Sequence, residues 1–401
     1  MNLASLVSAR SSAINGSGIR RVFDEAAATP GAIKLFIGQP DFPIDPLITK
    51  AAADAILDTS SLPSPNGYSL TQGVKPLQDA VRQHIKRDLG WTIDDTTTDC
   101  LITSGTSGAL FLAAMALLNP GDEIIIPDPY FVLYPYLAHL AGAKAVKCDT
   151  YPDGSPDFRM TAARVEPLIT ERTKAVLVCS PGNPTGVVLS QQEQRELLDL
   201  CRRKNVLLIS DEIYDEFVFS ESLTARSAEG NKPVCPSAGR EPGSFDATVV
   251  IRGFGKTFGV TGWRLGYAVG PKAILHEMRK LQQYVYVCAP TPLQLGAVAA
   301  FKADITPHIA EYQRRRDLVV STLREVTHVE TPGGAFYAFV QVPKRLNMTG
   351  EQFYQRAKQD KVFIVPGHTF SSRDTHFRLS FATRMDDLKR GLDAIVKIMK
   401  G

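Results

Sequence analysis

Four short strings in this chain combine groups that bind anions, hold a proton or attack a carbonyl, and each follows an apolar run. In Gly253–Arg264, GFGKTFGVTGWR, Lys256 comes just past the run Thr248–Ile251 and is flanked by glycines and aromatics. A lysine desolvated in such a place has a lowered pKa and a free amine that acts as a nucleophile. Arg264, eight residues on, adds a fixed cation for a phosphate. In Leu207–Tyr214, LLISDEIY, Asp211 ends an apolar run, and a carboxylate buried there needs a proton or a cationic partner. In Leu101–Leu110, LITSGTSGAL, a strand runs through a small polar loop into a helix. The free N–H groups of that helix start and the hydroxyls of Thr106 and Ser107 suit a phosphate. In Ser180–Gly186, SPGNPTG, two prolines and two glycines fix a loop that presents the Asn183 amide.

Each string alone has a plainer reading: a capped turn, an N-cap, a solvated lysine. Two rival chemistries also touch them. Gly255–Lys256–Thr257 is similar to the end of a phosphate-binding P-loop, but Val250 stands where that motif needs a glycine. Gly105–Ala109 is similar to a nucleophile elbow, and a serine hydrolase would draw its histidine from His368 or His376.

The elements that must position these groups follow from periodicity. Cys100–Thr103, Glu123–Pro127, Ala175–Cys179, Val206–Ser210, Thr248–Ile251 and Leu265–Val269 are rich in Val, Ile and Leu without alternation, as strands buried on both faces are. Helical patterns lie between them, and Ser190 with Glu193 gives a capping-box start for a helix running to Lys204. Alternation of this kind predicts an α/β domain with a mainly parallel sheet. From Pro292 the pattern changes: one long helix Pro292–Leu323, a strand in GGAFYAFVQV, a helix from Thr349, the run Val362–Val365, a strand His376–Phe381 and a last helix to Met399. This reads as a smaller α+β domain. The predicted division is a large domain over 46–289 and a small one made of 1–45 and 290–401. Pro233–Asp246, rich in Pro, Gly and Ser, reads as an exposed connection.

With 401 residues, 45 basic and 42 acidic, the chain is too balanced in charge for a nucleic-acid binder. No run approaches a membrane span, and the N-terminus lacks a secretory h-region. The six cysteines form no C-x-x-C pair, so no metal site is expected, and their usage fits the cytoplasm.

Taken together and in order, SPGNPTG, DEIY and GKTFGVTGWR resemble the class I and II aminotransferases, pyridoxal-phosphate (PLP) enzymes of fold type I, over about Gly38 to Arg378. The resemblance implies an enzyme that moves an amino group between an amino acid and a 2-oxo acid. It implies that Lys256 carries PLP covalently, that Asp211 pairs with the pyridinium nitrogen, and that Tyr214 and Asn183 bond the ring phenolate oxygen. Arg264 with Gly105, Thr106 and Ser107 would hold the phosphate, and Phe131, with Tyr130 second, would stack on the ring. Gly38 would lie in the loop over the substrate carboxylate and Arg378 would clamp that carboxylate. Tyr68 would reach the site of the neighbouring subunit of a homodimer. Gly253 and Gly255 depart from serines that the family often has there. No arginine or lysine stands where aspartate-specific members place one, while Tyr130, Phe131, Tyr284 and Tyr286 suit a neutral or aromatic amino acid. An aspartate aminotransferase, and a C–S lyase or an aminocyclopropane-carboxylate-type synthase of the same fold, are the nearest alternatives. PLP-fold effector domains of transcription regulators carry an N-terminal DNA-binding domain, for which about 30 residues leave no room.

Overall fold

The Val/Ile/Leu-rich runs form strands covered on both faces, because a run without polar alternation can be buried only that way. The computed structural model describes residues 1–152 and 157–401. Its main sheet has seven strands: β1 (Thr98–Thr103), β2 (Glu123–Asp128), β3 (Lys144–Asp149), β4 (Thr173–Cys179), β5 (Leu207–Asp211), β6 (Thr248–Gly253) and β7 (Gly266–Pro271). Their order is β1-β7-β6-β5-β4-β2-β3. All pairings are parallel except those of β7, which runs antiparallel to β1 and to β6. The register brings the strand ends together: Gly266 pairs with both Thr103 and Gly253, Asp211 with Ile251, and Cys179 with Asp211. The four strings of the sequence therefore leave the sheet along one edge, the carboxyl edge where open α/β sheets bind ligands.

Strand β3 lies outside the sequence-based assignment. It is one of the two edge strands, with Lys144, Lys147 and Asp149 exposed, so its apolar signal is diluted by the charges that keep an edge from pairing further. The capping-box helix forms as expected over Gln191–Lys204, with Ser190 and Glu193 bonding each other's backbone N–H. The predicted helix Pro292–Leu323 is instead two, Thr291–Ala300 and Thr306–Arg324. Asp304 accepts from the Thr306 N–H at 2.9 Å and Pro307 follows, a start signal that restarts the chain in a new direction. Nor is Pro233–Asp246 simply exposed: Cys235, Ser237, Ala238, Gly239 and Ser244 are buried. The Trp91 indole donates to the Gly239 carbonyl at 2.7 Å, which ties the segment to the core.

After the second of these helices come a three-stranded antiparallel sheet, Tyr337–Gln341, His376–Ser380 and Val365–Pro366, and the helices Gly350–Gln359 and Met385–Lys400. Val22, Ala26, Ile33, Leu35 and Phe36 of the N-terminal segment share its apolar core with Phe353, Ile364, Leu379 and Leu392. Helix Thr291–Ala300 packs differently, against Ile48 and Leu77 in a cluster with Ile102 and Val250 of the main sheet. No helix among the described residues is long and apolar enough to cross a membrane.

Candidate active site

At the carboxyl edge of the sheet lies a cavity of about 310 Å3. Gly38, Gly105, Thr106, Ser107, Phe131, Asn183, Asp211, Tyr214, Lys256, Arg264 and Arg378 all line it. Eleven of the twelve residues singled out for a site thus converge on one space. Tyr68 does not; its side chain is 86% exposed to solvent on the single chain.

One end of the cavity is built for an anion. Helix Gly105–Leu117 starts there, and Ser104 gives it no side-chain cap, so its first-turn N–H groups are left for a ligand. A Cβ on Gly105, whose φ is +69°, would lie 2.9 Å from Nη2 of Arg264. Only glycine both adopts that backbone and lets the guanidinium this close. Two of the departures from the family pattern have a steric counterpart nearby. A Cβ at Gly253 would meet Ile213 Cδ1 at 2.8 Å and Thr106 Cγ2 at 3.0 Å, and one at Gly255 would meet Thr261 Cα at 3.3 Å.

Deeper in, Asp211 is buried, and the Tyr134 hydroxyl donates to its Oδ2 at 2.7 Å while the Ile213 N–H reaches Oδ1 at 3.3 Å. Burial pushes the carboxyl up to about 6, against the pull of these two donors. Tyr134 went unassigned in the sequence because it lies 77 residues from Asp211; its place beside Phe131 in DPYFVLY was the one available signal. Phe131 lines the cavity, whereas Tyr130 packs into the core with Lys147 Nζ over its ring.

Lys256 sits on the single turn Phe254–Thr257 and donates from Nζ to the Gly38 carbonyl. Burial brings its amine down to about 8, helped by repulsion from Arg378 and Arg264. Arg378 is 1% exposed; Nη1 donates to Asn183 Oδ1 at 3.1 Å and Nη2 to the Phe36 carbonyl at 2.8 Å, while Nε has no partner among the described residues. Its guanidinium lies 4.4 Å from the Tyr337 ring centroid, and the Tyr337 hydroxyl accepts from Tyr214 at 3.2 Å. Ile19, Cys179 and Tyr337 complete the wall and were not foreseen.

The aromatic lining expected from the sequence is smaller than supposed. Tyr284 is 89% exposed, and Tyr286 lies behind the anion loop, its hydroxyl accepting from the Ser104 N–H at 3.3 Å. Neither His368 nor His376 lines the cavity, so the serine–histidine pairing that the hydrolase alternative needs does not form.

Comparison with known proteins agrees with this geometry. The family model for aminotransferase class I and II matches residues 30–395. The chain belongs to that family. It is 33% identical over 396 residues to aromatic-amino-acid aminotransferase 2 of Thermococcus litoralis, covering 96% of each chain. It is 32% identical to the aspartate aminotransferase of Pyrococcus abyssi, again covering 96% of each. The crystal structure of the aspartate aminotransferase from Rhizobium meliloti superposes with a TM-score of 0.86 at 31% identity, over 98% of both chains. The protein is a PLP-dependent aminotransferase of fold type I that moves an amino group between an amino acid and a 2-oxo acid. The residues present fit that cofactor: an uncapped helix N-terminus beside a guanidinium, a buried carboxylate, and a desolvated lysine open onto one cavity.

Proposed function

We propose that this aminotransferase prefers neutral or aromatic amino acids as donors, with site roles as follows. Arg264 and the N–H groups and hydroxyls of Gly105, Thr106 and Ser107 hold the cofactor phosphate, and Tyr68 of the partner subunit joins them. Asp211, steadied by Tyr134, holds a proton on the ring nitrogen. Asn183 and Tyr214 would hold the ring oxygen and Phe131 would cover the ring. Bound PLP supplies an electron sink that acidifies the substrate Cα–H. Lys256 would hold the cofactor, and its amine, open onto the cavity, would hold and move the proton of the substrate Cα. A lysine brought down to about 8 is suited to both halves of that task near neutral pH. Arg378 clamps the substrate carboxylate in two parallel hydrogen bonds, under the loop that contains Gly38.

The preference rests on the cations. Three line the cavity among the described residues: Lys256, Arg264 and Arg378. With the first two engaged by the cofactor, Arg378 alone remains for a substrate carboxylate. A second carboxylate would be desolvated without a partner, at several kcal/mol. Arg20 and Arg21 do not supply one, since they pair with Asp24 and Glu351, whereas their neighbour Ile19 does line the cavity. Named relatives include both an aromatic and an aspartate enzyme. The test is kcat/KM for alanine, phenylalanine, tyrosine, kynurenine and aspartate. Higher values for the neutral and aromatic donors are expected; a clear preference for aspartate would refute the reading and point to a further cation at the site.

A homodimer with shared sites is part of this proposal. Leu62, Tyr68, Leu70, Tyr284 and Val285 are large apolar side chains each more than half exposed on the single chain, which a partner subunit would cover. The proposed domains are 46–289 and 1–45 with 290–401. The N-terminal segment's packing onto the C-terminal core supports the division, with helix Thr291–Ala300 lying on the large-domain side of the boundary. Six free cysteines support a cytoplasmic location.

A further inference from the structure

The turn that carries Lys256 faces two cavities. Gly255 and Lys256 line the active site, whereas Phe254 and Thr257 line a second cavity of about 110 Å3, together with His84, Asp215, Glu216 and Arg252. Thr257 is 2% exposed, and its hydroxyl, buried in this wall, has no hydrogen-bond partner among the described residues. Leaving a buried hydroxyl unpaired costs about 1–3 kcal/mol, which a ligand bound beside it would remove. Within the same cavity His84, Asp215 and Glu216 each offer one ligand atom, and these atoms lie within 4.8 Å of one another.

The charges around this point do not balance. Arg252 pairs with Asp88 at 2.8 Å, Glu212 at 2.8 Å and Asp215 at 3.1 Å, and Arg240 pairs with Asp88 at 2.8 Å. Glu216 has no ion pair among the described residues. Four carboxyl groups thus crowd two guanidiniums, a surplus of acidic groups at one place. Arg252 Nη1 lies 3.3 Å from His84 Nε2. A guanidinium only donates, so this imidazole nitrogen is the acceptor, its lone pair is directed at Arg252, and the ring is in the neutral form that ligates metals. Metal ligation at Nε2 would replace that contact.

We infer that His84, Asp215 and Glu216, with the Thr257 hydroxyl at the rim, form a site for a divalent transition-metal ion behind the segment that carries Lys256. One imidazole nitrogen and two carboxylates suit Zn2+, Co2+ or Mn2+ and disfavour Mg2+, which takes oxygen ligands and keeps its waters. A dication would offset this surplus of acidic groups and hold Asp215 and Glu216 in their charged form. The ion would tie helix Lys75–Leu89 and the loop after β5 to the residue next to Lys256. No local spacing announces this site, because its ligands come from positions about 130 residues apart and meet only in the fold.

The test is equilibrium dialysis of chelator-treated holoenzyme against Zn2+ and, in parallel, Mg2+, with bound metal counted by atomic emission and PLP by absorbance. Wild type should retain one Zn2+ per chain and no Mg2+. His84→Gln and the exposed Glu216→Gln should each weaken Zn2+ binding by at least ~10-fold, with PLP content unchanged. Zn2+ should also raise the thermal midpoint of wild type and of neither variant. Absence of stoichiometric Zn2+, or equal retention by wild type and both variants, would overturn the assignment. Loss of PLP from wild type itself would instead count against the active-site reading.

Discussion

Replacing Asp211 by Asn should stabilise the apoenzyme while crippling the holoenzyme. The carboxyl is buried, and burial moves it from 3.8 up to about 6. That gap corresponds to about 3 kcal/mol of folding free energy lost to keeping the group charged. The sign follows from the direction. A carboxyl raised on folding is easier to ionise when unfolded, so its cost is complete above pH 6 and fades as pH falls towards 4. Asn removes the charge and keeps an oxygen for the Tyr134 hydroxyl, now 2.7 Å from Oδ2, but its amide gives up the Ile213 N–H contact, worth about 1 kcal/mol. The net gain is about 2 kcal/mol at pH 7.5, falling to nothing or reversing near pH 4. Urea unfolding of wild-type and Asp211→Asn apoenzyme at pH 4, 6 and 7.5 measures it. In the holoenzyme the same change removes the anion proposed for the ring nitrogen, and turnover should fall by orders of magnitude with PLP still bound. A variant less stable than wild type at all three pH values would refute the strained-charge argument, and near-normal turnover would refute the assigned role.

Lys256→Ala should yield colourless protein where wild type is yellow, and a wild type that stays colourless after reconstitution would remove the basis of the cofactor site. Tyr134→Phe should cost about 1–3 kcal/mol in apoenzyme stability at pH 7.5 and much less at pH 4, because the carboxylate loses its best donor only while it is charged; a loss independent of pH would mean that Tyr134 serves packing alone. Mixing inactive Tyr68→Ala and Lys256→Ala variants should restore activity through hybrid dimers with one intact site, and subunit exchange without recovery would show that Tyr68 does not act across the interface.

The anion loop, the Asn183 loop, Asp211 and the Lys256 segment were legible in the sequence for one physical reason. Each is a consecutive string at the end of a strand buried on both faces, so the strand's apolar run announces the element and the residues after it announce the chemistry. The capping-box helix was readable on the same terms, since Ser190 and Glu193 specify its first turn locally. Where the signal is not local, the tertiary structure decided. Tyr134 reaches Asp211, Arg378 reaches Asn183 and Phe36, and Ile19 enters the cavity only because the sheet edge and the N-terminal segment bring them there. The choice of Phe131 over Tyr130 turned on which way a loop residue faces, whereas Tyr284, in the last turn of helix Lys272–Val285, faces solvent, and Tyr286, at the cap of that helix, lies behind the anion loop. The edge strand β3 stayed hidden because solvent on one side replaces apolar residues with lysines. The trio His84, Asp215 and Glu216 has no spacing rule at all: its members belong to a helix and a strand-end loop that touch only after the sheet has formed.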